Sequence, residues 1–504
     1  MHLRKHLAIL GLILVLTTLI YARVSTAYFC GYDDFLEIQR ANFVDRLDPV
    51  KVFTTTHFDS FKYRPFNRGA NLITYLIDPN EATPFRVRDL FFHEVSICAV
   101  YCLGMLLFGS WQVAAVAALL FSIHPLANQV VVAAVFGNAE ANALFLLTLV
   151  LFFLSLKRSS MPLLCLSLVC GAVSVYVYES SIVVPGLMAG WWALEYLFSK
   201  RQPPRRFVVV FVLLGGVLFG SYLIVRRHFN SGGHTPIYGP KVFVKGAMEY
   251  AVALLLPVDF VLAHDWLQTP FPSEVMPDEM RTAVFVAAAA GVVLIVIVFF
   301  QRRRITALLA RAGPAELLFL LLGILLSLSP FLVFTDHVSE TYVYLPAAFY
   351  CLLLARLLTF IPSRGVLMAL VAVLVVLFAS ATWDRNQRVY ACGSTARRLL
   401  SNLPLADWKQ GEFHVSVAKS LDTVTPAHYG VYNHSGLDTI AAGEPHINEY
   451  GLRALEAAAQ LLTGNPGIHI NIYNPEELAA RCGDQAHGLC YWVHPDATVS
   501  EWKP

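Results

Sequence analysis

Charge is what this sequence has least of. Only 14% of its 504 residues are Asp, Glu, Lys or Arg, while 57% are hydrophobic; soluble domains carry roughly 25% charged residues. The deficit excludes an ordinary water-soluble fold. There is also no basic domain and no interleaved aromatic–basic motif, so nucleic acid is not an expected partner. The formal net charge of +2 says little about partners, because the charges are segregated by loop. The nine cysteines show no metal-ligand spacing. Cys98, Cys102, Cys165, Cys170 and Cys351 lie in apolar segments and read as small packing residues. Cys482 and Cys490 lie in the polar tail and are a disulfide candidate if that tail faces an oxidising compartment. Cys30 and Cys392 flank the membrane on one side in the topology below, with nothing further to support their pairing.

What is abundant is apolar sequence in blocks of membrane-spanning length. A basic start, His2-Leu3-Arg4-Lys5-His6, precedes an apolar run over residues 7–21. It is built like a signal peptide, but the run is long and residues 22–27 are a weak cleavage site, so an uncleaved first helix is expected. Further spans are expected over residues 89–108, 111–123, 139–156, 161–178, 181–198, 207–225, 283–300, 315–334, 342–358 and 366–382, with 129–136 part of a broken fourth helix. The total is about eleven.

The positive-inside rule places Lys157-Arg158, Lys200-Arg201, Arg205-Arg206, Arg302-Arg303-Arg304 and Arg364 in the cytoplasm. That assignment holds if residues 242–263, interrupted by Pro257 and Asp259, do not cross and are interfacial or re-entrant. Arg226 and Arg227 are then an exceptional basic pair on the other side. The expected fold is a polytopic α-helical membrane domain, residues 1–383, with a first extracytoplasmic loop at 23–88. A small extracytoplasmic α/β or α+β domain follows at 384–504. In that tail 415–417, 429–432 and 468–473 read as strands, and 449–462 and 475–482 as helices, with no internal repeat. Asn433-His434-Ser435 fits a short glycosylation sequon. The tail histidines, including His414 and His446, have no metal spacing and read as surface residues.

Ionisable groups near membrane depth are costly and are candidates for function. Asp33 and Asp34 sit side by side just beyond the first span, and Tyr63-Arg64-Pro65 follows in the same loop. His93-Glu94, His124-Pro125, Glu140, Glu179, and Asp336-His337 with Glu340 and Tyr344 all fall at the non-cytoplasmic ends of their helices. Acids scattered at random would use both faces; one shared face suggests one polar cavity. Each also has a purely structural reading. His124 before a proline can cap its helix, and Glu140 can complement a helix dipole. Glu179 and Glu340 can pair with Arg226 or Arg64 to hold helices together, and Arg226-Arg227 can sit at lipid headgroups.

These residues in this order resemble the membrane-embedded GT-C glycosyltransferases, most of all the protein O-mannosyltransferases and their relatives bearing tetratricopeptide repeats. The resemblance rests on the acidic pair Asp33-Asp34, Tyr63-Arg64-Pro65, His93, Leu120-Phe121-Ser122-Ile123-His124-Pro125, Tyr178-Glu179, Glu340-Thr341-Tyr342-Val343-Tyr344-Leu345-Pro346 and Arg385-Asn386, over roughly residues 1–400. Gln129, Asn138 and Thr341 stand where the family pattern has other residues, and the repeats are absent.

The resemblance implies an inverting transfer of a sugar from a polyprenyl-phosphate donor to an acceptor hydroxyl on a protein, glycan or lipid. Asp33 would be the general base and Asp34 would orient the acceptor or share the role. Arg226, Arg227 and Arg64 would bind the donor phosphate. His93, Glu94, His124, Glu140, Glu179, His337, Glu340 and Tyr344 would line the substrate cavity. The scheme requires no metal, although two adjacent acids suit one. The expected location is a bacterial inner membrane, with the site and the tail periplasmic. A polyprenyl-phosphate-binding transporter, or a non-catalytic transferase-like protein that binds a partner, is the competing reading.

Overall fold

The computed structural model describes residues 2–29, 34–39, 41–42, 47–55, 63–135, 138–229, 240–255, 313–332, 340–405, 411–417, 454–473, 475–483, 489–494 and 496–501. Among these, seven helices are long and apolar enough to cross a membrane. An eighth span arises if the bent pair Trp111–Ser122 and Pro125–Val132, angled by 57°, counts as one. Met161–Val177 and Pro314–Leu328 are shorter apolar helices. The expected span at 283–300, the Arg302–Arg304 loop, the strand at 429–432 and the sequon at Asn433 lie outside the described residues.

Helix α1 (His2–Tyr21) runs antiparallel to the helix that follows the first loop. At one end Lys5 sits 3.7 Å over the Trp111 ring, and His6 Nδ1 lies 2.6 Å from the Tyr101 hydroxyl. At the other end the Tyr21 and His93 rings are 5.8 Å apart. The first loop holds two six-residue helices, α2 (Asp34–Gln39) and α3 (Pro49–Thr54), and then α4 (Pro65–Ile77). Helix α5 (Thr83–Phe108) starts with Pro84 in its first turn and ends at Gly109, whose φ of 62° closes the helix by an N–H bond to the Met105 carbonyl. It begins six residues earlier than the span expected at 89. His93 and Glu94 therefore lie well inside it rather than opening it. The helix continues through Arg86, Arg88 and Asp89 because each of these is held by a partner, Arg86 and Asp89 fully buried.

Helix α6 (Trp111–Ser122) returns against α5 closely enough that a Cβ on Gly104 would lie 2.8 Å from the Ala114 Cα. A short helix α7 (Asn128–Val132) follows, then α8 (Asn138–Arg158), α9 (Met161–Val177) and α10 (Val184–Ser199). Helices α11 (Arg205–Val210) and α12 (Gly216–Phe229) are joined by a π turn into one span. Next come α13 (Pro240–Leu255), α14 (Pro314–Leu328), α15 (Tyr344–Leu358) and α16 (Arg364–Asn402). The apolar core runs from Ile97 and Phe121 through Phe145 and Phe152 to Phe349 and Leu352.

Helix α4 is inside out relative to a helix of a soluble protein. It buries Asn67, Arg68, Asn71 and Thr74 and exposes Phe66, Ile73, Leu76 and Ile77. The buried polar groups are satisfied: Asn71 Nδ2 donates to the Val135 carbonyl at 2.8 Å, and Arg68 donates to the Thr55 carbonyl at 2.7 Å. The exposed apolar edge continues onto Val87 and Phe91 of α5. A face of this kind suits lipid rather than water.

Helix α16 does not stop where the composition changes at residue 384. It is a single 39-residue helix, about 58 Å at 1.5 Å per residue, nearly twice the ~30 Å hydrocarbon core. Its last turns reach the tail, which folds as β1 (Gly411–Val417), α17 (Ala454–Thr463), β2 (Ile468–Tyr473), α18 (Pro475–Gly483), β3 (Leu489–Val493) and β4 (Val499–Glu501). The sheet order is β2-β1-β3-β4, with the first three strands parallel and β4 antiparallel to β3. A disulfide joins Cys482 of α18 to Cys490 of β3.

One apolar cluster unites the tail with the first loop. Phe29, Phe35, Leu36 and Phe85 pack with Leu399, Leu403, Phe413, Val415, Leu455 and Ile470. The first loop and the tail thus lie at the same end of the helical bundle.

Candidate active site

The polar end of the bundle is built from arginines that reach across the sequence. Arg86 is fully buried and donates to the carbonyls of Ala27 (3.2 Å), Tyr28 (2.9 Å) and Val132. It fixes the chain where it leaves α1, just ahead of the acidic pair. Arg88, two residues on and so near the opposite face of the helix, gathers five groups, Thr74 Oγ1 at 3.3 Å among them. Its NH1 donates to Asn71 Oδ1 at 2.7 Å, its NH2 to Asp89 Oδ1 at 3.0 Å and to the Ala134 carbonyl at 3.1 Å. Its Nε lies 2.8 Å from Glu140 Oε1 as an ion pair. Glu140 sits in the first turn of α8.

Arg64, at the N-terminus of α4, forms a two-pronged pair with Glu179. Nε donates to Oε2 at 2.7 Å and NH2 to Oε1 at 2.6 Å, while the guanidinium lies 4.1 Å from the centre of the Tyr178 ring. Glu179 opens a 3₁₀ turn, Glu179–Val183, that follows α9. The third pair joins Glu340 to Arg385 at 2.8 Å, with both side chains about 5% exposed or less. Arg385 also donates to the Pro125 carbonyl. Glu340 thus takes Arg385 as partner, rather than the Arg64 or Arg226 considered from the sequence.

The histidines have structural partners too. His93 Nδ1 is 2.7 Å from the Tyr344 hydroxyl, and its Nε2 is 3.2 Å from the Ser122 carbonyl. His124 accepts from the Leu126 N–H at 3.3 Å and so caps the turn Pro125–Ala127. Glu94 is half-buried and accepts from Thr18 at 2.7 Å. Gln129 accepts from the Thr341 N–H at 3.1 Å, which places positions 129 and 341 in direct contact. Asn128 donates to Asn386 Oδ1 at 2.6 Å, and Asn386 donates to the Ile20 carbonyl at 2.9 Å, tying α16 to the end of α1.

Asp34 is the first residue of α2 and is 1% exposed. Asp33 and His337 lie outside the described residues. Arg226 and Arg227 occupy the last turn of α12, Arg226 half-buried and Arg227 exposed. Tyr222, one turn earlier, interacts electrostatically with Glu179, Arg64 and Arg226, so the end of α12 borders the Arg64 pair. On the other side of Tyr178 a small cavity is lined by Asn142, Ser180, Ser327, Thr341 and Tyr342. Among the described residues no group of three or more His, Cys, Asp and Glu could hold a metal.

Sequence reasoning missed Arg86, Arg88 and Asp89 as members of this end, and it gave Arg385 and Asn386 no contacts. The signal for the first three was present: three charges within four residues, in a segment that continues as an apolar span.

No family model matches the chain, and no curated protein matches it in sequence. Solved structures similar to it include two of an archaeal oligosaccharyltransferase. The oligosaccharyltransferase of Archaeoglobus fulgidus in its apo form is 12% identical, with a TM-score of 0.44 over 82% of this chain and 62% of that one. The archaeal oligosaccharyltransferase AglB from Archaeoglobus fulgidus, in complex with an inhibitory peptide and a dolichol-phosphate, is 14% identical, with a TM-score of 0.42 and the same coverages. The chain spans about 62% of the length of each of these structures.

Proposed function

We propose that this protein is a membrane-embedded glycosyltransferase that moves a sugar from a polyprenyl-phosphate donor to an acceptor hydroxyl at the non-cytoplasmic surface. One observation supports this reading above the others. Residues from seven separate stretches, spread between Arg64 and Asn386, meet at one end of the helical bundle through Arg64–Glu179, Arg88–Glu140, His93–Tyr344, Glu340–Arg385 and Asn128–Asn386. The loop that bears Asp33 and Asp34 leaves α1 at that same end.

The chemistry assigned to these groups is direct displacement. A carboxylate of the Asp33–Asp34 pair takes the acceptor proton as the hydroxyl oxygen attacks the anomeric carbon. The bond to the lipid phosphate breaks on the opposite face, which inverts the anomeric centre. The departing phosphate is anionic, and the role assigned to Arg226 with Arg227 is to stabilise it by charge-assisted hydrogen bonds. Arg64 is a weaker assignment for that task, because its guanidinium already grips Glu179. A protein, glycan or lipid acceptor all fit the scheme, and mannose is one candidate sugar. A periplasmic site in a bacterial inner membrane is the proposed setting.

A second reading draws on the same contacts. Glu140, Glu179 and Glu340 are each held by an arginine, as a non-catalytic transferase-like protein that binds a lipid phosphate or a partner would also show. A transfer assay decides between them. Purified protein is given a panel of polyprenyl-phosphate sugars, with Asp33→Asn as control. Turnover by wild type that is lost in the control supports the transferase. Binding of donor without turnover by either protein supports the second reading.

A further inference from the structure

Gln39 is the last residue of α2 and Gln460 lies in α17 of the tail, 421 positions away, yet their side-chain amides meet in the interior. Gln39 Nε2 donates to Gln460 Oε1 at 2.8 Å, and both residues are less than 10% exposed. The orientation of the Gln460 amide is set by its own neighbours. Its Nε2 donates to the Ile468 carbonyl at 2.8 Å and faces Glu456 Oε1 at 3.3 Å, which leaves only its oxygen for Gln39. Glu456 is fixed in turn by the Ile470 N–H at 3.2 Å and by His469 Nδ1 at 3.1 Å. A buried amide in a satisfied network holds one geometry, and a rotated amide would set donor against donor.

The stretch between Tyr28 and Gln39 is therefore held at both ends by distant parts of the chain. At its start Arg86 binds the Tyr28 carbonyl, and α16 crosses the Tyr28 backbone at Gly393. At its end Gln460 binds Gln39. Asp34 lies between. Helix α2 is only six residues long, too short to be stable by itself. Five of its six residues are buried, and Phe35, Leu36 and Ile38 share one apolar cluster with Leu455 and Ala458 of α17.

Resting on the transferase reading above, we infer that the tail is the positioning element of Asp34, and that Gln460 is a positioning residue acting through Gln39 and α2. Removing the amide–amide hydrogen bond leaves the donor site proposed at α12 untouched but loosens the hold on Asp34 and so its reach to the acceptor. A displacement of about 1 Å at a reacting group costs up to roughly 100-fold in rate.

The test uses the full chain in lipid nanodiscs, as Gln39→Leu, Gln460→Leu and the double variant. Gln39→Leu is the gentler change, because it leaves the bonds between α17 and β2 intact and keeps the test open if Gln460→Leu fails to fold. Hydrogen exchange over residues 34–39 should rise about tenfold or more in each single variant, with the spans unchanged. With a donor that supports transfer, kcat should fall about 10- to 100-fold while KM for the donor stays the same. The double variant should lose no more than the worse single variant, because the two amides act as one unit. Unchanged exchange over 34–39 in a folded variant, losses that multiply, or a change confined to KM would overturn the inference. If wild type turns over no donor, the transferase reading falls, and the exchange data alone decide whether the tail positions the loop.

Discussion

A Cβ added to Gly393 would sit 2.6 Å from the carbonyl oxygen of Tyr28 and 3.0 Å from its nitrogen. The atoms it would meet are backbone, held from the other side by Arg86, so they cannot swing away as a flexible side chain would. Gly393→Ala should therefore push α16 and the first loop apart, at a cost of about 1–3 kcal/mol. Its apparent thermal midpoint in detergent should drop by several degrees, and exchange should rise at 27–29 and 34–39. A midpoint equal to wild type would mean that α16 does not press on the loop.

The Arg64–Glu179 pair gives a second test. Arg64 is buried and Glu179 is 26% exposed, so losing one member of this two-pronged pair strands the other at a cost of up to about 3–5 kcal/mol, whereas losing both costs less. Glu179→Gln and Arg64→Met should each destabilise more than the double variant. Additive losses would show that the pair contributes nothing as a pair. If Arg64 also binds donor phosphate, Glu179→Gln should tighten donor binding by freeing the guanidinium; weaker binding assigns Arg64 to structure.

The acidic pair and the arginines of α12 should separate in kinetics. Asp33→Asn should lower turnover by about 100- to 10,000-fold with little change in donor binding. Arg226→Ala should weaken donor binding as well as turnover. Asp34→Asn assigns the two acids, since a smaller loss than Asp33→Asn makes Asp34 the orienting group. Near-normal transfer by both Asn variants, with normal folding, would remove the loop from the chemistry.

The exposed apolar face of α4 should touch acyl chains. With a bimane label on a single cysteine at Ile73 or Leu76 in a cysteine-free background, brominated lipids should quench fluorescence about as strongly as at Leu223 in the α12 span. Quenching by aqueous iodide instead would place the helix in water.

Much of the architecture was readable from periodicity and composition because apolar runs in a membrane leave few alternatives. The strand at Ile468–Tyr473 and the helices near 449–462 and 475–482 were legible for the ordinary reasons of alternation and amphipathic spacing. Other features were hidden by their physics. Helix α4 reads as polar loop because Asn67, Arg68, Asn71 and Thr74 look solvated, and only their tertiary partners make them interior residues. The last span is expected over 366–382, and the helix that carries it runs on to Asn402. A change in hydropathy marks where lipid ends, but the hydrogen-bonded backbone of α16 continues, with neither proline nor any residue that breaks it before Leu403. The partnership of Glu340, in the turn before α15, with Arg385 of α16 spans 45 residues, a distance over which spacing carries no information.

The length of α16 has a further consequence, which concerns angle rather than energy. A helix turns 100° for each residue, so an unbroken rod leading from lipid to the tail sets the azimuth of everything attached beyond it. One residue inserted between Trp383 and Tyr390 would turn Gly393 and Arg397 away from Tyr28 and Glu81 by about a quarter of a revolution. Seven residues, about two turns, would bring them nearly back into phase but some 10 Å too far out. The tail is thus indexed to the bundle by a screw, with pitch and rotation linked, so neither its height nor its facing can change alone.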